Sequence, residues 1–174
     1  MARTDLPLTG VERTFGDHEI IVSKTDTRGW ITYANEVFQR VSGYSEAELL
    51  DQPHSIVRHP AMPRCVFKLL WDTLEAGQEI FAYVLNRAKN GDHYWVFAHV
   101  TPTFDTSGKI ISYHSNRRSP ERRAVNAIAP VYQALLAEEA RHADPKAGMA
   151  ASLKVVVDLL QQKGIEYDQF VQSL

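Results

Sequence analysis

An α+β fold, a five-stranded antiparallel sheet with helices on one face and a helical extension behind it, is the architecture this sequence predicts. Two observations lead to it. The first 118 residues read as two β-rich runs, several short helical pieces and three further β-rich runs. The runs are joined by Asp, Asn and Gly turn chemistry, which favours hairpins and meanders over parallel crossovers.

Taken in order, residues 1–17 are polar and contain Pro7, Gly10 and Gly16, the pattern of a loose N-terminal arm. Residues 18–24 (HEIIVSK) and 30–33 (WITY) flank Asp26-Thr27-Arg28-Gly29 and predict a hairpin. Asn35 is placed to cap a helix carrying Val37, Phe38 and Val41, with Gly43 ending it. Ser45 followed by Glu48 is a capping-box pair. Pro53, Pro60 and Pro63 then divide the chain, and from Pro63 a longer helix carries Val66, Phe67, Leu70 and Leu74 to a stop at Gly77.

Three strands follow, at 79–89, 93–104 and 109–117, with turns at Asn90-Gly91-Asp92 and Asp105-Thr106-Ser107-Gly108. Beyond Pro120 the spacing becomes helical. Val125, Ile128, Ala129, Tyr132, Leu135, Leu136 and Glu139 form a stripe with one polar member, and Pro130 is expected to kink or restart the helix. Asp144-Pro145 opens another helix with Met149, Leu153, Val156, Val157 and Leu160 as its apolar face, closed by Lys163-Gly164. The expected organisation is an arm (1–17), one α+β domain (18–118) and a C-terminal helical extension (119–174).

Composition narrows the function. Of 174 residues, 44% are hydrophobic and 23% charged, enough to bury a core. The formal charge of −2 gives no electrostatic pull toward nucleic acid or an anionic membrane. No run approaches the ~20 apolar residues of a membrane span. The single cysteine, Cys65, excludes an internal disulfide, and a cytoplasmic location is expected. His93 and His99 share a strand face too far apart for one metal, so no metal site is expected. No acid, base and nucleophile converge, so an enzyme is not expected.

Two blocks are specific in combination: VRHPxMP at 57–63 and KNGDHYWV at 89–96. With ITYANEVFQRVSGYSEAELL before the first, they resemble the flavin-binding PAS domain of bacterial aerotaxis receptors, from about Ile21 to Arg118. The resemblance implies a PAS sensor at 18–118 with FAD held non-covalently, its redox state reporting on respiration. It implies flavin contacts at Asn35, Arg58, His59 and Asn86. Departures fall in the same region. Ala61 stands where the family commonly has aspartate, Ile80 where it has tryptophan, and Ala82 where it has glycine. Alternation puts Ile80 and Ala82 on the face of Asn86, so they are expected to line the pocket as well.

Three readings follow. The first is a redox or oxygen sensor with FAD, linked to chemotaxis through a chemoreceptor or other signalling protein. The others are a sensor holding haem b and a cofactor-free interaction module. Phe81, Tyr83, Leu85, Trp95 and Phe97 share the outer face of two strands and make an apolar patch that needs a cover. The C-terminal helices are expected to supply it, within the chain or across a homodimer.

Overall fold

The computed structural model describes residues 7–174; the first six residues of the expected arm lie outside the described residues. Strands β1 (Ile21–Thr25) and β2 (Ile31–Ala34) form the first hairpin. Its turn is held by the Asp26 carboxylate, which accepts from the backbone N–H of Arg28 and of Trp30, both at 2.9 Å. Helix α1 (Glu36–Ser42) starts at Asn35 and ends at Gly43, whose φ of 75° is the left-handed value a glycine adopts without strain. Helix α2 (Glu46–Leu49) carries the Ser45/Glu48 capping box. A single 3-10 turn (His54–Val57) and helix α3 (Arg64–Glu75) follow their prolines.

Strands β3 (Ile80–Arg87), β4 (His93–Phe104) and β5 (Ile110–Arg118) complete the sheet in the order β2-β1-β5-β4-β3. All neighbours are antiparallel. Tyr94, Val96 and Ala98 are buried on the face covered by α1–α3, where Ile21, Ile31, Phe38 and Leu49 are fully enclosed. Burying each such side chain contributes roughly 1.5–3 kcal/mol.

Both sheet edges are partly covered by hydrogen bonds from within the chain. At β2, the Ile31 N–H donates to Gln52 O at 2.8 Å, and the Asp51 N–H donates to Ile31 O at 2.9 Å. At β3, the Leu85 N–H donates to the Met62 sulfur at 3.2 Å, and Tyr83 O accepts the Tyr132 hydroxyl at 2.6 Å. Arg58 and Asn86 also form an isolated backbone bridge there.

Three helices make the extension: α4 (Arg122–Ala140), α5 (Pro145–Lys163) and α6 (Tyr167–Gln172). Pro130 neither ends nor restarts α4, which runs through it. The residue is exposed, so the carbonyl that loses its donor faces water. Ile128, Tyr132 and Leu135 of α4 and Val171 of α6 are buried. The Tyr132 ring stacks on Trp95 with centroids 6.1 Å apart. The extension therefore packs in cis around β3, from the outer face of the sheet to α3. Phe81 and Phe97 remain half-buried, with Phe81 stacked on His99 at 4.2 Å.

At the α3 end, one carboxylate joins three helices. Helix α3 has no side-chain cap from its own N-cap residue, Pro63. Glu139 of α4 substitutes: its Oε1 accepts from the Cys65 N–H at 3.1 Å and from the Ser152 hydroxyl of α5 at 3.0 Å. Cys65 is fully buried beside it, and burial pushes its thiol pKa up. Helices α4 and α5 approach closely enough that a Cβ on Gly148 would lie 2.6 Å from Glu139 O.

Residues 7–13 lie along the β3–β4 turn. The Arg13 N–H donates to His93 O at 2.7 Å and the His93 N–H to Val11 O at 2.9 Å. Asp92 accepts from the Thr9 hydroxyl at 2.6 Å and from Arg13 Nε at 2.9 Å. With Asn90 these partners hold the Asp92 carboxyl down at about 2. The described part of the arm is thus tied to the sheet by long-range backbone bonds, which the hydrophobic pattern of the sequence does not reveal.

Two measurements test the packing. Tyr132→Phe keeps the stack on Trp95 but leaves a buried carbonyl without its donor, and is expected to cost about 1–2 kcal/mol in urea unfolding. A 1–118 fragment is expected to aggregate or lose stability as Tyr83, Leu85 and Trp95 meet water; a monomer of unchanged stability would contradict this packing.

Candidate functional site

A cavity of about 330 Å3 lies between the sheet and α3. Its apolar walls come from Phe67, Leu70, Trp71 and Leu74 of α3 and from Val84, Ala98 and Val100 of the sheet. These α3 residues share one face because they recur at helical spacing. At the hairpin end, Gly29 (φ 82°) meets the Trp71 ring so closely that a Cβ would sit 3.0 Å from it. Trp71 in turn meets Tyr113 edge-on at 5.4 Å.

The opposite wall is polar. Ser23 and Thr25 of β1, Ser115 and Arg117 of β5, His54, Arg58 and Asn86 all reach it. The period of two along each strand delivers these side chains to a single face. Arg117 is 2% exposed, and among the described residues it pairs with no carboxylate. Its NH2 group donates to the Ser23 hydroxyl, and its NH1 group to His54 Nε2 at 3.3 Å. Its guanidinium lies 4.5 Å over the Phe38 ring. Burial lowers its pKa to about 10, which leaves it charged at neutral pH. Arg117 Nε and Thr25 Oγ1 are buried with no hydrogen-bond partner among the described residues.

Because Arg117 donates to His54 Nε2, that nitrogen is the unprotonated one and the ring is neutral. Enclosure by the protein and the nearby Arg117 charge depress the His54 pKa to about 3. The Ser23 hydroxyl, already accepting from Arg117, is free to donate to the same nitrogen at 3.2 Å. The Asn86 carboxamide is 4% exposed and makes no hydrogen bond to the protein among the described residues, so its donor and acceptor are both available to the cavity.

Of the residues expected from sequence, the structure brings Arg58 and Asn86 to the cavity. Arg58 lies 4.3 Å over the Phe67 ring. The other four stand outside its lining. Asn35 uses both ends of its amide locally: Oδ1 accepts from the N–H groups of Val22 and Phe38 at 3.0 Å, and Nδ2 donates to Ile20 O at 2.8 Å. His59 is buried, accepts from the Ala61 N–H at 3.1 Å and meets His93 edge-on at 6.0 Å. Burial and the neighbouring His93 and Arg87 lower its pKa to about 4. Ile80 and Ala82 share the inner face with Val84 and Asn86 but are packed beyond the cavity, Ile80 against Leu74 and Tyr113. Sequence reasoning missed Arg117, Ser23, Thr25 and His54. The available signal was a polar row at every second position on two strands otherwise rich in β-branched residues.

The residues present fit a planar ring with a polar edge. The volume is at the lower end of the roughly 300–1,000 Å3 typical of small-molecule pockets. One side is apolar, and the other offers charged and neutral donors, the Asn86 carboxamide among them.

Acid is expected to destabilise the protein through His54. The unfolded histidine takes up a proton near pH 6.5 and the folded one only near 3, so the stability present above pH 6.5 is lost as pH falls below it. The slope from this residue is about 1.4 kcal/mol per pH unit. Urea unfolding between pH 7 and 5 measures it. His54→Gln is expected to flatten the slope, although His59 contributes in the same direction.

The comparisons with known proteins agree with this geometry. The chain is 45% identical over 119 residues to the aerotaxis receptor of Escherichia coli strain K12, a match taking in 68% of this chain and 23% of that protein. It is 34% identical over 99 residues to a nitrogen fixation regulatory protein of Klebsiella pneumoniae, covering 57% and 20%. The chain thus spans less than a quarter of the length of these relatives. Among solved structures it superposes on the dark structure of the blue-light photoreceptor Aureochrome1 LOV with a TM-score of 0.57 and 21% identity, covering 66% of this chain and 85% of that one. A light-oxygen-voltage domain studied with a flavin analogue gives a TM-score of 0.57 at 19% identity, covering 66% and 86%. A family profile described as PAS fold matches residues 31–117. That span runs from the first residue of β2 to Arg117 in β5 and includes every helix that covers the sheet's inner face, so the chain belongs to the PAS family.

Proposed function

We propose that this PAS domain is a redox or oxygen sensor that holds the ring system of a flavin, FAD, in the cavity between α3 and the sheet. Its output passes through the C-terminal helices to a signalling partner, of chemoreceptor type, in the cytoplasm. The observation that carries the reading is the buried Arg117 guanidinium, paired with no carboxylate among the described residues, on the same cavity wall as the unpartnered Asn86 carboxamide. A buried cation without a carboxylate is costly unless something electron-rich meets it. The carbonyl-bearing edge of a flavin is such a group. The likeness to the E. coli aerotaxis receptor supports the link to chemotaxis.

A bound flavin supplies a redox couple whose charge and hydrogen-bonding pattern change with its state. The protein's part is to read that change. Asn86 can rotate its carboxamide to present either donor or acceptor, and it sits on β3, the strand that meets α4 through Tyr83 and Tyr132. Neutral His54 holds Arg117 without neutralising it. Phe67, Leu70 and Trp71 keep water from the ring. No helix of the described residues is long and apolar enough to cross a membrane. Signalling by contact suits a site whose polar wall offers hydrogen bonds to a ligand.

Haem b is the less favoured occupant. It asks for an axial histidine, and His54, the one histidine on the cavity lining, has Nε2 engaged by Ser23 and Arg117. An empty interaction module leaves the uncompensated Arg117 charge and the Asn86 carboxamide on the cavity wall without purpose.

The visible absorption spectrum of the purified, FAD-reconstituted protein tests the proposal. Flavin bands are expected; a Soret band, or no visible absorbance, would overturn it. Arg117→Met and Arg58→Ala are each expected to lower flavin affinity about tenfold or more, the loss of a charge-assisted hydrogen bond worth ~1.5–3 kcal/mol.

A further inference from the structure

A second depression adjoins the first. It measures about 650 Å3 and runs between the loop that precedes α3 and the junction of α4 with α5. Ser55 and Arg58 line both spaces, so the two share a wall rather than lying apart. On the loop side the groove has Pro60 and Arg64; on the helix side it has Leu136, Ala140 and His142.

Its charge is mostly of one sign. Arg64 is exposed and makes no ion pair among the described residues. Arg58 reaches the groove from the shared wall, and His142, which meets Glu138 at 3.4 Å, stands opposite. One carboxylate, Glu139, is in the lining, and its Oε1 is occupied by the Cys65 N–H and the Ser152 hydroxyl. Between the guanidinium groups and the apolar surface of Pro60, Leu136 and Ala140, the groove offers phosphate donors and a floor for a flat base. Guanidinium is well suited to phosphate because its planar fork presents paired N–H donors.

The first cavity, about 330 Å3, is taken by the ring system in the reading above, and the groove adjoins it at Ser55 and Arg58. We infer that the groove holds the phosphate-and-nucleoside tail of the flavin dinucleotide, with Arg58 at the passage and Arg64 on the phosphates. The inference rests on the flavin reading above and goes beyond it: α4 and α5 become part of the ligand site, and this extension gives the chain its preference for the dinucleotide over the bare ring.

The test compares riboflavin and FAD on the full chain, with affinity read from quenching of flavin fluorescence and folding checked by circular dichroism. Two variants, Arg64→Glu and Ala140→Trp, alter exposed groove residues, the first reversing a charge and the second filling the floor. The wild type is expected to bind FAD at least about tenfold more tightly than riboflavin. Each variant is expected to shrink that ratio toward one. Equal binding of the two ligands by the wild type, or an unchanged ratio in both variants, would overturn the groove assignment and leave the ring site standing. Binding of neither ligand would overturn the flavin reading and the tail site with it.

Discussion

Arg117 is a charge that cannot be discharged inside the domain, and the polar side of the cavity is organised around it. A buried carboxylic acid can take up a proton, but a guanidinium whose pKa is still about 10 keeps its charge. The surrounding chain therefore supplies only neutral acceptors and a π-face: Ser23, His54 and Phe38. His54 must stay unprotonated to serve as one of them. The face carrying these groups cannot also pack against α3 without stranding the remaining donors. Polar wall, cavity and neutral histidine are thus one arrangement.

The same wall is mechanically continuous with the extension by two routes. Strand β3 carries Asn86 at the cavity and gives its Tyr83 carbonyl to Tyr132 of α4. Helix α3 gives one face to the cavity, while its N-terminus is held by Glu139 of α4, which also takes the Ser152 hydroxyl of α5. Shifts of β3 and of α3 therefore arrive at different points of α4, one at mid-helix and one in the last turn. A displacement of the cavity wall would reach α4 as a difference between two anchors, which favours tilting over simple translation.

The legible parts of this molecule are those whose cause is local. Asn35, Ser45 with Glu48, Asp144 and Gly164 terminate helices by bonds within a few residues, and the structure uses them as the sequence implies. Turn chemistry and alternation likewise place the five strands. What escaped depends on distant partners. Arg117 looks like a surface residue until the β1–β5 pairing puts it beside Ser23. Glu139 looks like a flaw in an apolar stripe until α3 presents an uncapped N-terminus to it. The resemblance to aerotaxis receptors pointed to Arg58 and Asn86, which line the cavity, and also to Asn35, which caps α1 outside that lining. At Pro130 the helix neither ends nor restarts, and the residue's exposed position lets water reach the carbonyl it leaves free.

The partial covering of both sheet edges has a consequence for association. A strand with free N–H and C=O groups invites another chain to extend the sheet, the route to β-augmentation and to edge-to-edge aggregation. Here β2 is occupied by the 51–53 segment and β3 by Met62 and Tyr132. A protein that docks on this one meets mainly side chains, with no more than short stretches of free edge backbone at β2 and β3. Recognition then depends on shape and chemistry residue by residue, so a specific partner interface can change by point substitution while the sheet beneath it stays intact.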